Sequence, residues 1–256
     1  MKIVYFTYCN KKNLMPAMLL ADRVYKLTSK KLFIFTSFKT SNREGNSFYI
    51  KYLKADFKVN VSGHITKDCY GKISGFSELK TNDWIIYLDN DILFQNPLEN
   101  YLSTVNGNIY MVDHKLPNLM MEQYNIPQMT YFNTGVIVMK GIFIDTFIKK
   151  IEDTIDLDQI YLYHDQCLIN IALAQYISIL PNKFNASTKW CTITGNENIH
   201  FLGPRKPWNT LFPSKSQQLF LQPYKAWSLP LRMKFNFHRI SQFINRIRIK
   251  LVNDIL

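Results

Sequence analysis

The order of elements in the first 36 residues constrains the fold more than any other feature of the chain. Residues 2–7, KIVYFT, read as a strand. LMPAMLLADRVYKL follows with helical spacing at Leu19, Val24 and Leu27, and KLFIFT is a second aromatic and β-branched run. Strand, helix and strand in that order point to parallel β-α-β packing. FKVNVS, WIIYL, NIYMV and YFNTGVIVM continue the series of strands, with a short helix around GFSELK. Helices are expected from Ile142 to Ile155 and from Asp165 to Gln175, before a short strand YISIL. The expectation is an α/β chain with an open, mostly parallel sheet, in which ligands collect beyond the carboxyl ends of the strands.

At 256 residues the chain is one large domain, or one domain with an appended segment. It is long enough to bury roughly three quarters of its unfolded surface. Hydrophobic content of 47% with 20% charged residues is that of a folded globular protein. The first apolar run, before Asn10, is too short for a signal-peptide core or a membrane span, and no longer one follows. Cys9, Cys69, Cys167 and Cys191 form no C-x-x-C pair, which argues against a zinc site and fits a reducing cytosol. The sequons at Asn60 and Asn185 are short enough to arise by chance.

One strand ends in charge. WIIYLDND places Asp89 and Asp91 one residue apart at the end of an apolar run. If the extended geometry persists through Asn90, the two carboxylates face one point. About 5 Å apart they repel by about 3 kcal/mol at an effective dielectric of 20. A divalent cation with hard oxygen ligands, Mn²⁺ or Mg²⁺, would offset that. The three letters alone carry little, since Asp156-Leu157-Asp158 repeats them near the end of a helical stretch, where they read as a solvated face. A dehalogenase-type phosphatase also uses D-x-D after a strand, but that pattern continues to Thr or Val where this chain has Leu93.

Four further segments follow in order: YFNTGVIVMK, YHDQCLIN, LPNKFN and IHFLGPRKPW. With IIYLDND they resemble family 8 of the retaining glycosyltransferases, most of all the bacterial lipooligosaccharide galactosyltransferases and glucosyltransferases. The resemblance spans roughly residues 1–210, and its most specific piece is H-x-x-G-x-x-K-P-W, from His200 to Trp208. It implies a GT-A nucleotide-diphospho-sugar transferase fold in which Asp89, Asp91 and His200 ligate Mn²⁺, with Mg²⁺ as the second choice. Mn²⁺ accepts carboxylate and imidazole together. The same resemblance implies that Lys206 touches the diphosphate, with Gly203 and Pro204 shaping the loop and Arg205 adding to the positive field. It further implies donor contacts by Asn90, Asp113 and Asn133, and it places Asp165 and Gln166 beside the anomeric carbon. Asp165 opens a predicted helix and would also serve as an N-cap. Lys72 stands where relatives usually carry Arg, which is not equivalent for a bidentate contact. The chain departs from the family in TYCNKKN, where relatives have an Asp and a Tyr for uracil and ribose; Asn10 matches, with Thr7 and Tyr8 as candidate base contacts.

The formal charge is +12, which suits an anionic partner. From Leu231 onward Arg232, Lys234, Arg239, Arg246, Arg248 and Lys250 face only Asp254, while Ile240, Phe243, Ile244, Ile247, Leu251 and Ile255 keep helical spacing. Such a basic amphipathic helix reads as a membrane-surface element, or as a helix packed on the catalytic domain. The expected organisation is a catalytic domain over 1–212 and a basic, membrane-associating helical segment over 213–256. The expected activity is transfer of galactose or glucose from a UDP-sugar to a hydroxyl of a lipooligosaccharide, lipopolysaccharide or similar glycan, at the inner face of the cytoplasmic membrane. The rival is a non-enzymatic basic module binding membrane or nucleic acid. Aromatic content of 14% would serve stacking on bases, yet no RNA-binding motif accompanies it, so nucleic acid is not an expected partner.

Overall fold

The crossover expected from the first 36 residues is present. In the computed structural model, β1 (Ile3–Cys9) pairs in parallel with β2 (Leu32–Thr36), from Tyr5↔Leu32 to Cys9↔Thr36, with α1 (Leu14–Thr28) between them. The structure describes residues 1–55, 70–79, 83–114, 130–156, 164–187, 193–202, 206–209 and 214–222, together with 233, 236 and 240. α1 stops at Ser29, whose left-handed backbone (φ 56°) lets its N–H close on Tyr25 O at 2.8 Å.

Beyond β2 lie β3 (Arg43–Glu44) and β4 (Phe48–Tyr52), the latter parallel to β2. Neither was expected, and the strand expected at FKVNVS falls outside the described residues. α2 (Gly71–Glu78) leads toward β5 (Trp84–Leu88), and β6 (Ile92–Leu93), α3 (Glu99–Leu102) and β7 (Ile109–Asp113) follow. β8 (Phe132–Lys140) precedes α4 (Ile144–Thr154), α5 (Asp165–Leu173) and β9 (Ile177–Ile179). These strands form one mixed eight-stranded sheet in the order β3-β4-β2-β1-β5-β8-β7-β9, with β8 antiparallel to both of its neighbours.

The strands are apolar on both faces because both faces are covered. Phe6, Tyr8, Ile85, Tyr87, Ile137 and Met139 point to one side, where α2, α4 and α5 contribute Ile73, Phe76, Phe147, Ile151 and Leu168. Their neighbours Tyr5, Cys9, Ile86, Leu88, Val136 and Val138 point to the other, against Ala17, Leu20 and Val24 of α1 and Leu102 of α3. The period of two is thus written in residue shape rather than polarity. α2 lies flush on β1: a Cβ at Gly71 would sit 2.1 Å from the Tyr8 ring, and one at Gly75 would sit 2.3 Å from Phe6.

A second, small sheet is decisive for the site. β10 (Ala186–Ser187) pairs with β11 (Ile199–His200), which runs antiparallel to β6. Leu93, Ile199, Phe201 and Trp208 pack there with Met15 and Leu19 of α1 and with Phe220 and Leu221 of α6 (Lys215–Leu221). α6 lies beyond the boundary expected at residue 212, and this packing ties it to the catalytic core. Ser214 opens it with a capping box closed by Gln217. Of the basic tail only Met233, Asn236 and Ile240 are described, all exposed; the rest of that expectation lies outside the described residues.

Candidate active site

The β5–β8 ladder runs one residue past β5, with Asp89 N–H donating to Gly135 O at 2.7 Å. The chain then turns, and Ile92 N–H returns to Asp89 O at 3.2 Å. Extended geometry therefore does not persist through Asn90, the condition on which strand alternation would have brought the carboxylates together. Asp89 and Asp91 converge through this turn instead, and Asn90 is half-buried within it. β11 then brings the third member, since its pairing sets His200 opposite Ile92.

His200 Nε2 lies 3.3 Å from Asp91 Oδ1 and 3.5 Å from Asp89 Oδ2. One ligand atom from each of Asp89, Asp91 and His200 falls within 4.8 Å of the other two. Asp91 and His200 are buried, whereas Asp89 is half-buried. The donor set fits Mn²⁺, and a ring nitrogen facing two carboxylates is an arrangement that a cation stabilises. Burial would raise the Asp91 carboxyl, but the Lys206 ammonium bonded to its Oδ2, with His200 beside it, outweighs burial and holds it well below the usual carboxylate range. Lys206 also donates to Phe201 O at 2.7 Å. The partner of Lys206 here is thus Asp91; the diphosphate contact was implied for it by resemblance alone. Gly203, Pro204 and Arg205 lie outside the described residues.

A second cluster adjoins the first. Lys72, brought in by the close approach of α2, is 5% exposed and reaches Asp165 Oδ2 at 2.8 Å and Asp89 Oδ1 at 3.6 Å. It also donates to Thr134 O at 3.1 Å and lies 4.7 Å from the centre of the Tyr87 ring. Tyr87 donates to Asp89 Oδ1 at 2.5 Å, and burial followed by the Asp89 charge pushes its phenol well above the ordinary range. Asp165 accepts from Thr134 Oγ1 at 3.1 Å. Its carboxylate is therefore held by Lys72 and Thr134, and the N-cap position belongs to His164 (φ 51°).

Register places the remaining donor candidates. The β7–β8 pairing slips between Tyr110 and Val112, so Val112 faces Asn133 and Asp113 faces Phe132. The irregularity aims Asn133 and Thr134 at α5. Asn133 Nδ2 donates to Gln166 Oε1 at 3.1 Å and meets His114 Nδ1 at 3.2 Å, and Thr134 N–H donates to the same Gln166 oxygen at 3.3 Å. Asp113 stands half-buried at the carboxyl end of β7.

The structure does not bring Thr7 and Tyr8 to a common surface. Thr7 is fully buried, and Tyr8 donates its hydroxyl to Leu53 O at 2.9 Å beneath α2. Consecutive strand residues face opposite sides of the sheet, so the two side chains do not share one surface. Asn10 caps the turn after β1 by accepting from Lys12 N–H at 3.1 Å and Asn13 N–H at 3.2 Å.

Four side chains of the site were given no role in it from the sequence: Tyr87, Thr134, Asn170 and Asn185. Asn170 accepts from Phe132 N–H at 2.7 Å and donates to Phe132 O at 2.9 Å, locking α5 to β8. Asn185 lies between His200 and Asn133, buried and bonded to both, so its sequon is not a glycosylation site. The signal for both was available, because each is a polar residue inside a segment already noted, placed where its neighbours are apolar.

The family model described as Glycosyl transferase family 8 matches residues 10–211. The chain belongs to this family. The matched span takes in every candidate site residue except Thr7 and Tyr8. No curated protein matches the chain. Among solved structures, the galactosyltransferase LgtC, in complex with donor and acceptor sugar analogues, superposes with a TM-score of 0.68 at 15% identity, covering 89% of this chain and 96% of that one. The bifunctional glycosyltransferase WbbM gives 0.65 at 13% identity, covering 93% of this chain and 52% of that one. The glycosyltransferase GlyE of Streptococcus pneumoniae gives 0.59 at 12% identity, covering 96% of this chain and 64% of that one. This family 8 glycosyltransferase has the GT-A fold, and the phosphatase and the non-enzymatic module are set aside by its family.

Proposed function

We propose that the protein is a retaining, metal-dependent hexosyltransferase that moves galactose or glucose from a UDP-sugar to a hydroxyl of a lipooligosaccharide, lipopolysaccharide or similar glycan. The observation that carries the reading is the contact between the two clusters: Lys72 links Asp89 of the metal-binding triad to Asp165, next to Gln166. Mn²⁺, with Mg²⁺ as the second choice, would be held by Asp89, Asp91 and His200 and would neutralise charge on the leaving diphosphate. Lys206 and Lys72 add positive charge where that negative charge develops. Asn90, Asp113, Asn133 and Gly203 are proposed donor contacts, with Asn10 next to the nucleotide.

Asp165 is held by a lysine and a hydroxyl, and Gln166 is an amide whose oxygen already accepts two hydrogen bonds. Neither is an activated nucleophile. Front-face attack follows, with the acceptor hydroxyl entering on the side the diphosphate leaves and the leaving phosphate taking its proton. A glycosylated Asp165 found by mass spectrometry would overturn this route. The proposed organisation keeps residues 1–212 as the catalytic domain and 213–256 as a basic C-terminal segment, in which α6 packs on the catalytic core and the basic residues after Leu231 rest on the cytoplasmic membrane face.

The test is a screen of nucleotide sugars monitored by UDP release, with and without Mn²⁺, for the wild type and Asp91→Asn. Metal-dependent release from UDP-galactose or UDP-glucose, reduced at least about 100-fold by the substitution, is expected. Equal release by both proteins would remove Asp91 from the chemistry, and no release from any donor would refute the proposed activity.

A further inference from the structure

Two backbone N–H groups start a chain of hydrogen bonds whose direction is settled at every link. A backbone N–H only donates. Gly135 N–H points at Asn133 at 2.9 Å, so the Asn133 atom there is the oxygen, Oδ1. The other end of that amide is then the donor, and it faces Gln166 Oε1, itself identified as oxygen by Thr134 N–H. Asn133 Oδ1 also receives a hydrogen bond at 2.8 Å from Asn185, so the Asn185 atom facing it is Nδ2. The Asn185 oxygen is left facing His200 Nδ1 at 3.1 Å, and between an oxygen and a ring nitrogen the proton has to sit on the nitrogen.

We propose that Asn185 is a positioning residue that holds His200 as the Nδ1–H tautomer, so that Nε2 presents its lone pair to the cation bound with Asp89 and Asp91. The proposal rests on the metal reading given above. Metal-ligating imidazoles depend on such a partner at the second ring nitrogen for orientation and tautomer. The partner here is unusual in being an amide, which can face either way, and the β8 backbone removes that freedom. β8 also supplies the space: a Cβ at Gly135 would lie 2.2 Å from His200 Cε1 and 2.4 Å from its Nδ1. Only bare backbone admits the ring at this depth. The same relay joins the metal ligand to Asn133 and Gln166, so the metal and sugar sides of the site share one hydrogen-bond network.

The test uses the full chain. Long-range ¹H–¹⁵N correlation of the metal-free wild type at alkaline pH, with His200 assigned by comparison with His200→Gln, should show Nδ1 protonated. A ring without a proton on Nδ1 would overturn the proposal, whereas a proton on Nε2 facing Asp89 and Asp91 in the metal-free protein would not; this measurement does not depend on any substitution at Asn185 being tolerated. Mn²⁺ affinity, read from the free-ion EPR signal, should fall about 10- to 100-fold in Asn185→Ala. Asn185→Asp keeps an acceptor facing Nδ1 but sets its second oxygen against Asn133 Oδ1, so its affinity should fall between those of Asn185→Ala and the wild type. Equal losses in both folded variants, or no loss in either, would refute the positioning role. A wild type that shows the Nδ1–H ring and binds no Mn²⁺ would refute the metal reading and leave the relay standing.

Discussion

Lys72 is a cation 5% exposed to solvent, and its worth depends on what it would leave behind. It lies between Asp165 and Asp89, and Asp165 is itself buried. Removing one partner of a buried pair strands the other charge, which costs about 3–5 kcal/mol. Lys72→Met should therefore lower the unfolding free energy in urea by about 3 kcal/mol and abolish transfer. A loss below about 1 kcal/mol would mean that Asp165 is not held by Lys72. The residue type was visible in the sequence, but its burial was not. A lysine inside YGKISGF becomes a buried group only because Gly71 lets α2 settle against Tyr8.

Among the elements, α5 carries Asp165 and Gln166, and its placement depends on one side chain. Asn170 sits one turn after Gln166 and satisfies both backbone groups of Phe132, while its Nδ2 also donates to Gln166 O at 2.8 Å. Asn170→Leu keeps the size and leaves a buried N–H and a buried carbonyl unpaired, at about 1–3 kcal/mol for each group. The expected result is a loss of about 3 kcal/mol in stability, with faster hydrogen exchange at Phe132 than elsewhere in β8. Unchanged exchange at Phe132 would show that Asn170 does not hold the helix to the strand. The boundaries of α4 and α5 read from the sequence lie close to those observed; α4 buries a regular stripe at Ile144, Phe147 and Ile151, whereas α5 is buried on nearly all sides. β3, β4, β6, β10 and β11 were not anticipated. Four of these five are two-residue pairings, and so short a pairing has no period to read.

Across the whole molecule, charge and packing divide near the end of the chain. α6 is packed against α1 through Phe220 and Leu221, whereas the six basic residues of the tail follow Leu231. No described helix is long and apolar enough to cross a membrane, so the proposed membrane contact is one of surface charge and an apolar stripe. Truncation after residue 230 keeps α6 and removes the basic cluster. Sedimentation with vesicles containing anionic lipid should fall by at least about tenfold on truncation, on the order of 1 kcal/mol for each basic residue near the surface at best. Mn²⁺-dependent UDP-sugar hydrolysis should stay within a few-fold of the full chain. Vesicle binding that survives truncation would move the membrane contact off the tail.

Local order and residue chemistry carried much of this. Apolar runs and helical stripes determine an α/β sheet with helices on both sides, since only that arrangement buries strands without a polar face. The segments IIYLDND and IHFLGPRKPW name the family because their residue types and spacing are rarely met together. What the sequence could not decide is how distant segments meet. Asp89 and Asp91 converge by a turn rather than by strand alternation, and His200 reaches them through the pairing of β6 with β11, over a hundred residues apart in the chain. The direction of the Asn133–Asn185–His200 relay depends on backbone N–H groups of β8, which every sequence possesses and none announces. Periodicity is a local property and can be read from a string; the satisfaction of buried polar groups is a property of the closed fold, and only the tertiary structure settles it.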